Sequence, residues 1–401
     1  MSSAQQLAVP AQPLRTSARL SARNAAAFTL FACGLFVVLG IVTTLLGPTL
    51  PLLSARWSIS AAQAGILFSW QFVSSTAGTL LSGAVLTKRS FKAAVLIGVA
   101  LCLFGIVALV TANWTVGRYA VACYGLGLGI SLPAINLAVG EANPDRRAAS
   151  VSLLNFAWGV CAIGGPVFLD TLHSLNVFLV ALSILLALTL IGSALSTMPV
   201  KAEQTCVTGV QDGARPWLLV PLIASSMFLF CGVENAVGGW AASLALPSFS
   251  NVFAANSAVI VFWTFFLAGR FFTPTVLRHL SEGRLLLTAL ICAASGVLAF
   301  YFATHVVTIL LACALAGFGI GPGFPLVIAR VSELIGPQHP ACMVCFSFAG
   351  IGAATLPALV GLVGAKLAQP RAGLLLPLAG LLLLIALSGA LAKLKPASAS
   401  V

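Results

Sequence analysis

A single carboxylate inside a long apolar run is the residue best placed in this sequence to do chemistry. Glu234 lies within residues 217–246, which are otherwise apolar and long enough to cross a bilayer. A charge at that depth is costly, so such an acid usually faces a water-filled cavity or a partner. Two interpretations stay open. Glu234 is either a proton or hydroxyl acceptor that helps close an outer gate, or a structural acid that ties its helix to a neighbour.

Arg270 is the other ionisable residue deep within an apolar run. A structural cross-link to carbonyl groups or a helix end is favoured over a contact to an anionic substrate. At ~1.5 Å per residue, Glu234 lies roughly 26 Å and Arg270 roughly 14 Å from the same membrane face. This height difference predicts no direct salt bridge between them, unless the helix of Glu234 is broken at Gly238 and Gly239.

Six further side chains are candidates for contacting a substrate. Amide groups both donate and accept hydrogen bonds, which suits a solute with hydroxyl groups, and an indole face suits an apolar ring face. For each residue taken alone, interhelical hydrogen bonding or core packing is the commoner explanation. The candidates are Gln71, Asn136, Asn155, Trp158, Asn235 and Trp240.

The sequence holds no motif that would indicate an enzyme. No Ser/His/Asp constellation or phosphate-binding loop appears, and the four histidines are too scattered to predict a metal site. An ATP-driven pump would need a polar nucleotide-binding domain, for which no stretch has the length. We therefore expect no catalytic residues, no cofactor and no metal.

The composition is that of a membrane protein. The chain has 401 residues, of which 60% are hydrophobic and 7% charged, and its mean hydropathy is +1.09. A soluble domain requires a polar exterior, which this composition does not supply. The net charge of +12 does not indicate nucleic-acid binding, because the basic residues lie in short loops beside the apolar runs.

Apolar runs predict an all-α membrane protein with twelve transmembrane helices in two six-helix bundles. The predicted bundles are 25–196 and 217–395, joined by a polar cytoplasmic linker at 197–216 and flanked by tails at 1–24 and 396–401. The predicted spans are 27–53, 62–86, 93–112, 116–140, 148–169, 176–196, 217–244, 254–278, 285–304, 306–334, 341–367 and 372–394.

The distribution of Lys and Arg predicts the orientation in the membrane. With the N-terminus inside, fifteen of them fall in the tails and inner loops. Only four, Arg56, Arg118, Lys366 and Arg371, fall outside. Because basic residues favour the cytoplasmic side, both termini are predicted to be cytoplasmic, in a multi-pass protein of a bacterial inner membrane.

An internal repeat relates the two halves. Residues 124–133 are echoed by 316–325, an offset of 192, and the two segments share three glycines at alternate positions. The glycines lie within apolar helices and predict close packing of helix backbones, not a dinucleotide site. Because the copy runs in the same direction six spans later, the halves are expected to be related by an axis along the membrane normal.

The chain resembles the major facilitator superfamily over its whole length. The loop at 83–92 is similar to that superfamily's signature Gly-x-Leu-x-Asp-Arg-x-Gly-Arg-Arg, with Thr87 at the position of the Asp and Ser90 at that of the second Gly. Within the superfamily the chain is most similar to members like the fucose–proton symporters. Three segments carry this similarity: Gly232-Val-Glu234-Asn-Ala-Val-Gly-Gly-Trp240, Phe262-Trp263 with Gly269-Arg270, and Pro133-Ala-Ile-Asn136 with Asn155 and Gly164-Gly165-Pro166.

The resemblance implies a secondary active transporter that works by alternating access. It implies import of a monosaccharide or related polyol by symport with a proton or another cation, with Glu234 as the proton-coupling candidate. We expect a monomer in the lipid bilayer. A proton-coupled drug or metabolite exporter of the same fold is the alternative, because an acid in the second half and none in the first span is compatible with export. A non-transporting membrane sensor is a weaker alternative.

Overall fold

The computed structural model describes residues 22–88, 90–199, 214–328 and 340–392. Within these ranges the chain forms thirteen α-helices with described bounds, a further helical segment at residues 323–328 and three short 3-10 turns. The helices are α1 (Ala22–Thr44), α2 (Leu46–Trp57), α3 (Ala61–Lys88), α4 (Phe91–Thr111), α5 (Trp114–Ala142), α6 (Arg147–Leu172), α7 (Leu175–Leu195), α8 (Ala214–Ala245), α9 (Val252–Val276), α10 (Glu282–Phe302), α11 (Val306–Ile320), α12 (Pro340–Lys366) and α13 (Leu375–Ala392).

The predicted all-α membrane fold is confirmed. Eleven segments of the described chain are long and apolar enough to cross a membrane. The remaining crossing is α3, whose 28 residues are long enough but include many hydroxyl groups. Some of these hydroxyls donate to carbonyls of their own helix, as Thr76 does to Phe72 at 2.8 Å, whereas Ser69 donates to Ala354 of α12 and Ser82 to Ile130 of α5. Satisfied in this way, α3 packs between α5 and α12 at the centre of the molecule.

The proposed division into bundles and linker stays a prediction. α1 begins at Ala22, inside the predicted tail, and α8 begins at Ala214, inside the predicted linker. The rest of both tails, most of the linker and the predicted end of the tenth span lie outside the described residues. We call the membrane face where α1 begins and α7 ends the linker face, and the opposite one, where α2 ends, the far face.

A break in the first crossing separates α1 from α2. Pro48 has no N–H to donate to the carbonyl of Thr44, four residues earlier, so the helix is interrupted there. The neighbouring carbonyl of Thr43 accepts a hydrogen bond from Gln71 Nε2 of α3, at 2.7 Å. Gly47 then approaches α8, where an added Cβ would lie 3.4 Å from the carbonyl oxygen of Gly238. The break therefore brings the first crossing against the second half.

The repeated glycines hold equivalent helices together in the two halves. A Cβ added at Gly129 of α5 would lie 2.0 Å from the carbonyl oxygen of Ser75 in α3, and one at Gly127 would lie 2.4 Å from that of Gly98 in α4. In α11, Gly317 and Gly319 meet α9 and α10 in the same way, at 2.2 and 2.3 Å. The repeat thus produces the close backbone packing that its spacing predicts.

We expect Gly129→Ala to destabilise the protein by about 1–3 kcal/mol, because its methyl group would overlap a backbone oxygen that belongs to a packed helix. Gly34→Ala in α1 is the matched control, since an added Cβ there meets nothing within 4 Å. That change should be neutral or stabilising by about 0.5–1 kcal/mol. Thermal unfolding in detergent micelles compares the two variants, and equal effects would contradict this role of Gly129.

Candidate functional site

A cavity lies between the two halves, next to the break in the first crossing. It holds about 110 Å³ of space open to water, several times the ~10–15 Å³ that one water molecule needs. Residues of α1, α2, α3 and α6 line one side, and residues of α8 and α9 line the other. The lining residues are Thr43, Thr44, Leu46, Gly47, Phe68, Gln71, Phe72, Trp158, Glu234, Asn235, Gly238, Gly239 and Trp263.

Glu234 faces this cavity and forms an ion pair. Its Oε2 lies 3.7 Å from Arg270 Nη2, and the side chains are 12% and 28% exposed. The prediction that these residues do not meet unless the helix is broken is wrong, because α8 is continuous from Ala214 to Ala245. The predicted break is not needed, and Gly238 and Gly239 instead let the rings of Phe262 and Phe68 pack against α8.

Side-chain direction explains why the height estimate failed. Glu234 lies 11 residues before the end of α8 and Arg270 18 residues after the start of α9. The difference of 7 residues corresponds to roughly 10 Å along the axes. The Cα–Cβ bonds of a helix tilt towards its N-terminus, and α8 and α9 are antiparallel. The two long side chains therefore lean towards each other and close the gap.

Arg270 is held by more than the carboxylate. Its Nε donates to the carbonyl of Gly321, at the end of α11, at 3.1 Å. Its guanidinium also lies over the ring of Phe266, 4.2 Å from the centroid. These contacts match the favoured interpretation of Arg270 as a cross-link to a carbonyl group. Together with Glu234 of α8, these contacts from α9 and the end of α11 position the guanidinium.

Gln71 lines the cavity but has its amide in use. Its Nε2 donates to Thr43, as described above, and its Oε1 accepts from the hydroxyl of Tyr124 in α5 at 2.9 Å. The side chain is only 1% exposed. Gln71 therefore joins α1, α3 and α5, which matches the structural explanation for this residue. Asn235 also lines the cavity, and its Nδ2 donates to the carbonyl of Cys231, one turn earlier, at 2.8 Å.

Aromatic rings form the apolar walls of the cavity. Trp158 of α6 and Trp263 of α9 meet edge to face across the two halves, with ring centroids 6.3 Å apart. The rings of Phe68 and Phe72 on α3 complete the wall. Trp158 is half-buried, so part of its indole can meet a solute. The cavity thus combines flat apolar faces with an acid and amides.

Three of the predicted substrate candidates lie outside this cavity. Trp240 is buried and donates from Nε1 to the carbonyl of Pro357 in α12, at 2.9 Å. Asn136 accepts a hydrogen bond from Asn155 Nδ2 at 3.3 Å, and this pair joins α5 to α6 nearer the linker face. The structure therefore places these residues at helix contacts and not among the cavity lining.

A polar contact between the halves lies closer to the far face. Asn256 Nδ2 of α9 donates to Asp170 Oδ1 of α6 at 2.7 Å. Asn256 is fully buried, and its Oδ1 has no hydrogen-bond partner among the described residues. Next to this pair, the ring of His173 lies 5.3 Å from that of Phe253. The two halves are therefore in contact between the cavity and the far face.

The comparison with protein families identifies the fold. The sequence profile described as Major Facilitator Superfamily matches residues 31–354 of the 401. The chain belongs to the Major Facilitator Superfamily. No curated protein matches the sequence.

Solved transporters of this superfamily have the same fold. The E. coli fucose:proton symporter is 16% identical with a TM-score of 0.60, and the match covers 93% of this chain and 100% of that one. The nucleoside transporter NupG is 15% identical, with a TM-score of 0.74 and coverage of 93% and 100%. The D-xylose-proton symporter is 13% identical, with a TM-score of 0.74 and coverage of 90% and 97%. Because members of the Major Facilitator Superfamily are transporters, this chain is a transporter and not an enzyme.

Sequence reasoning overlooked two parts of this transporter's site. Trp263 was named only for its resemblance to other transporters, because an indole next to Phe262 in an apolar run does not by itself indicate a cavity wall. Asp170 was not among the candidate residues, and it lies just after the predicted fifth span at 148–169. Its signal was an acid two residues before Leu172, the last residue of α6, but only the fold brings Asn256 to it.

Proposed function

We propose that this transporter imports a monosaccharide or related polyol together with a proton, by alternating access around the central cavity. The observation that supports this most is the carboxylate of Glu234, which faces water-accessible space between the halves and is paired with Arg270. An acid placed in this way can hold or release a proton according to the state of its partner. Its role in coupling is part of the proposal.

The lining chemistry supports a polyhydroxylated solute. Trp158 and the phenylalanine rings offer flat apolar faces, on which the C–H side of a sugar ring packs. Asn235 and Glu234 offer groups that bond hydroxyls. The structures with the same fold include transporters of fucose, xylose and nucleosides by name, all of which carry several hydroxyl groups on a ring. We take import of such a solute as the leading function.

The distribution of Lys and Arg supports an orientation of the transporter in the membrane. The linker face carries the excess of Lys and Arg and is therefore taken as cytoplasmic. The contacts of Asp170 with Asn256 then lie on the outer side of the cavity. The described conformation accordingly corresponds to one in which the outer path is closed. Release of this contact is one step towards opening that path.

We expect Asn256→Ala to loosen this outer contact, because Asp170 loses the N–H that bonds its carboxylate. A hydrogen bond to a charged group is worth about 1.5–3 kcal/mol, so local opening should become about tenfold or more frequent. Hydrogen exchange measured by mass spectrometry at the adjoining ends of α6 and α9 reports this. Thr171→Ala is the control, since its hydroxyl bonds only Phe168 of its own helix. Equal exchange rates in the two variants would contradict a gating role.

Proteoliposomes test the proposed function directly. Labelled fucose, labelled xylose and a labelled nucleoside are offered with and without a pH gradient that drives protons inward. We expect at least one of the sugars to accumulate only when the gradient is present, and a protonophore to abolish the accumulation. Sugar uptake that ignores the gradient would contradict proton symport. Gradient-driven expulsion from the vesicles would instead favour the exporter, and transport of the nucleoside alone would contradict the sugar assignment.

A further inference from the structure

A second cavity lies at the lipid-facing surface of the second half. It has a volume of about 280 Å³ and lies between α9, α10 and α11. It runs from Leu280 and Leu285, near the linker face, to Cys292, which is 7 residues or roughly 10 Å further along α10. Phe272 and Phe318 flank it and are 49% and 41% exposed. The cavity is therefore elongated along the membrane normal and accessible from the bilayer.

The polar groups in this cavity are satisfied by the protein. Thr273 donates to the carbonyl of Gly269 at 2.8 Å, and Thr288 lies 3.0 Å from the carbonyl oxygen of Leu285. The thiol of Cys292 is 3.5 Å from a carbonyl oxygen of α11. Because these groups have partners, the remaining surface is mainly hydrocarbon. A polar solute would lose its own hydrogen bonds there, whereas an acyl chain would not.

Two arginines flank the cavity-lining residues Leu280 and Leu285 in the sequence at the linker face. Arg278, in the turn after α9, and Arg284, in the first turn of α10, are exposed at the linker face. Neither forms an ion pair with a residue of the described ranges. Among the described residues of this turn, the other titratable groups are His279 and Glu282, so the two arginines outnumber the one acid there. Charge of this sign above an apolar slot is complementary to a lipid with an anionic headgroup.

We infer that this cavity binds one anionic phospholipid from the leaflet at the linker face. Its acyl chain lies in the slot between α9, α10 and α11, and its phosphate group meets Arg278 and Arg284. The site is separate from the central cavity, so it does not depend on the proposed transport function.

Native mass spectrometry of the full-length protein, titrated with phosphatidylglycerol or phosphatidylcholine, tests this site. The wild-type protein should bind one phosphatidylglycerol more tightly than phosphatidylcholine, by roughly 30-fold for two basic contacts. The double variant Arg278→Gln with Arg284→Gln should lose this preference. Thr288→Phe, which fills the slot from an exposed position, should weaken binding of both lipids.

Arg146→Gln is the matched control, since Arg146 is exposed at the same face in the first half. It should leave the binding of both lipids unchanged. The site would be ruled out if Thr288→Phe bound phosphatidylglycerol as the wild-type protein does. A loss of preference in Arg146→Gln equal to that of the double variant would also overturn the inference, because it would reduce the effect to general surface charge.

Discussion

Glu234→Gln is expected to abolish uptake driven by a pH gradient while leaving exchange of solute across the membrane intact. Glutamine keeps the shape of the side chain and, like a protonated glutamic acid, both donates and accepts hydrogen bonds, but it cannot bind or release a proton. With one proton per solute, a gradient of two pH units sustains about 100-fold accumulation, because each unit is worth about 1.4 kcal/mol. We therefore expect accumulation in the variant to fall to the level seen without a gradient. Proteoliposome uptake and counterflow of a transported sugar measure the two properties separately.

Glu141→Gln provides the matched control for this change. Glu141 is also an acid on a crossing helix, but it lies near the linker-face end of α5 and pairs with Arg147 at 3.8 Å. Its substitution should leave gradient-driven uptake close to that of the wild-type protein. Accumulation that survives in Glu234→Gln would exclude proton coupling at this residue. Loss of counterflow as well would assign Glu234 to substrate binding and not to coupling.

Arg270→Met is expected to destabilise the protein by about 2–3 kcal/mol. Removing one member of a buried ion pair leaves the other charge without compensation, which costs about 3–5 kcal/mol when both are fully buried. The expected value is lower here because the arginine side chain is 28% exposed. The loss of the hydrogen bond to Gly321 contributes to the effect. Thermal unfolding in detergent micelles measures it.

The double variant Glu234→Gln with Arg270→Met separates charge from packing. With no carboxylate left unpaired, it should be more stable than Arg270→Met alone, to within about 1 kcal/mol of the wild-type protein. Arg146→Met serves as a control for loss of an exposed arginine and should shift stability by less than about 0.5 kcal/mol. If the double variant were as unstable as Arg270→Met, the ion pair would not be the cause.

The break in the first crossing and its partner Gln71 show which features of the site the sequence predicts and which it does not. Gly47 and Pro48 are residues that interrupt helices, and the structure ends α1 at Thr44 and begins α2 at Leu46, just before them. That Gln71 would satisfy the carbonyl of Thr43 depends on how α3 crosses α1. The sequence marked Gln71 as a polar residue within the membrane. Only its partners distinguish a helix tie from a substrate ligand.

The sequence by itself determined the fold and the presence of one acid, Glu234, deep within a membrane-crossing helix. Long apolar runs and a repeated glycine pattern are local along the chain, so they specify crossings and their packing faces without knowledge of distant partners. The tertiary structure alone decided that Glu234 meets Arg270, that Trp240 lies at a helix contact, and that Asp170 bridges the halves. These contacts depend on side-chain direction and helix arrangement. Neither follows from counting residues along one helix.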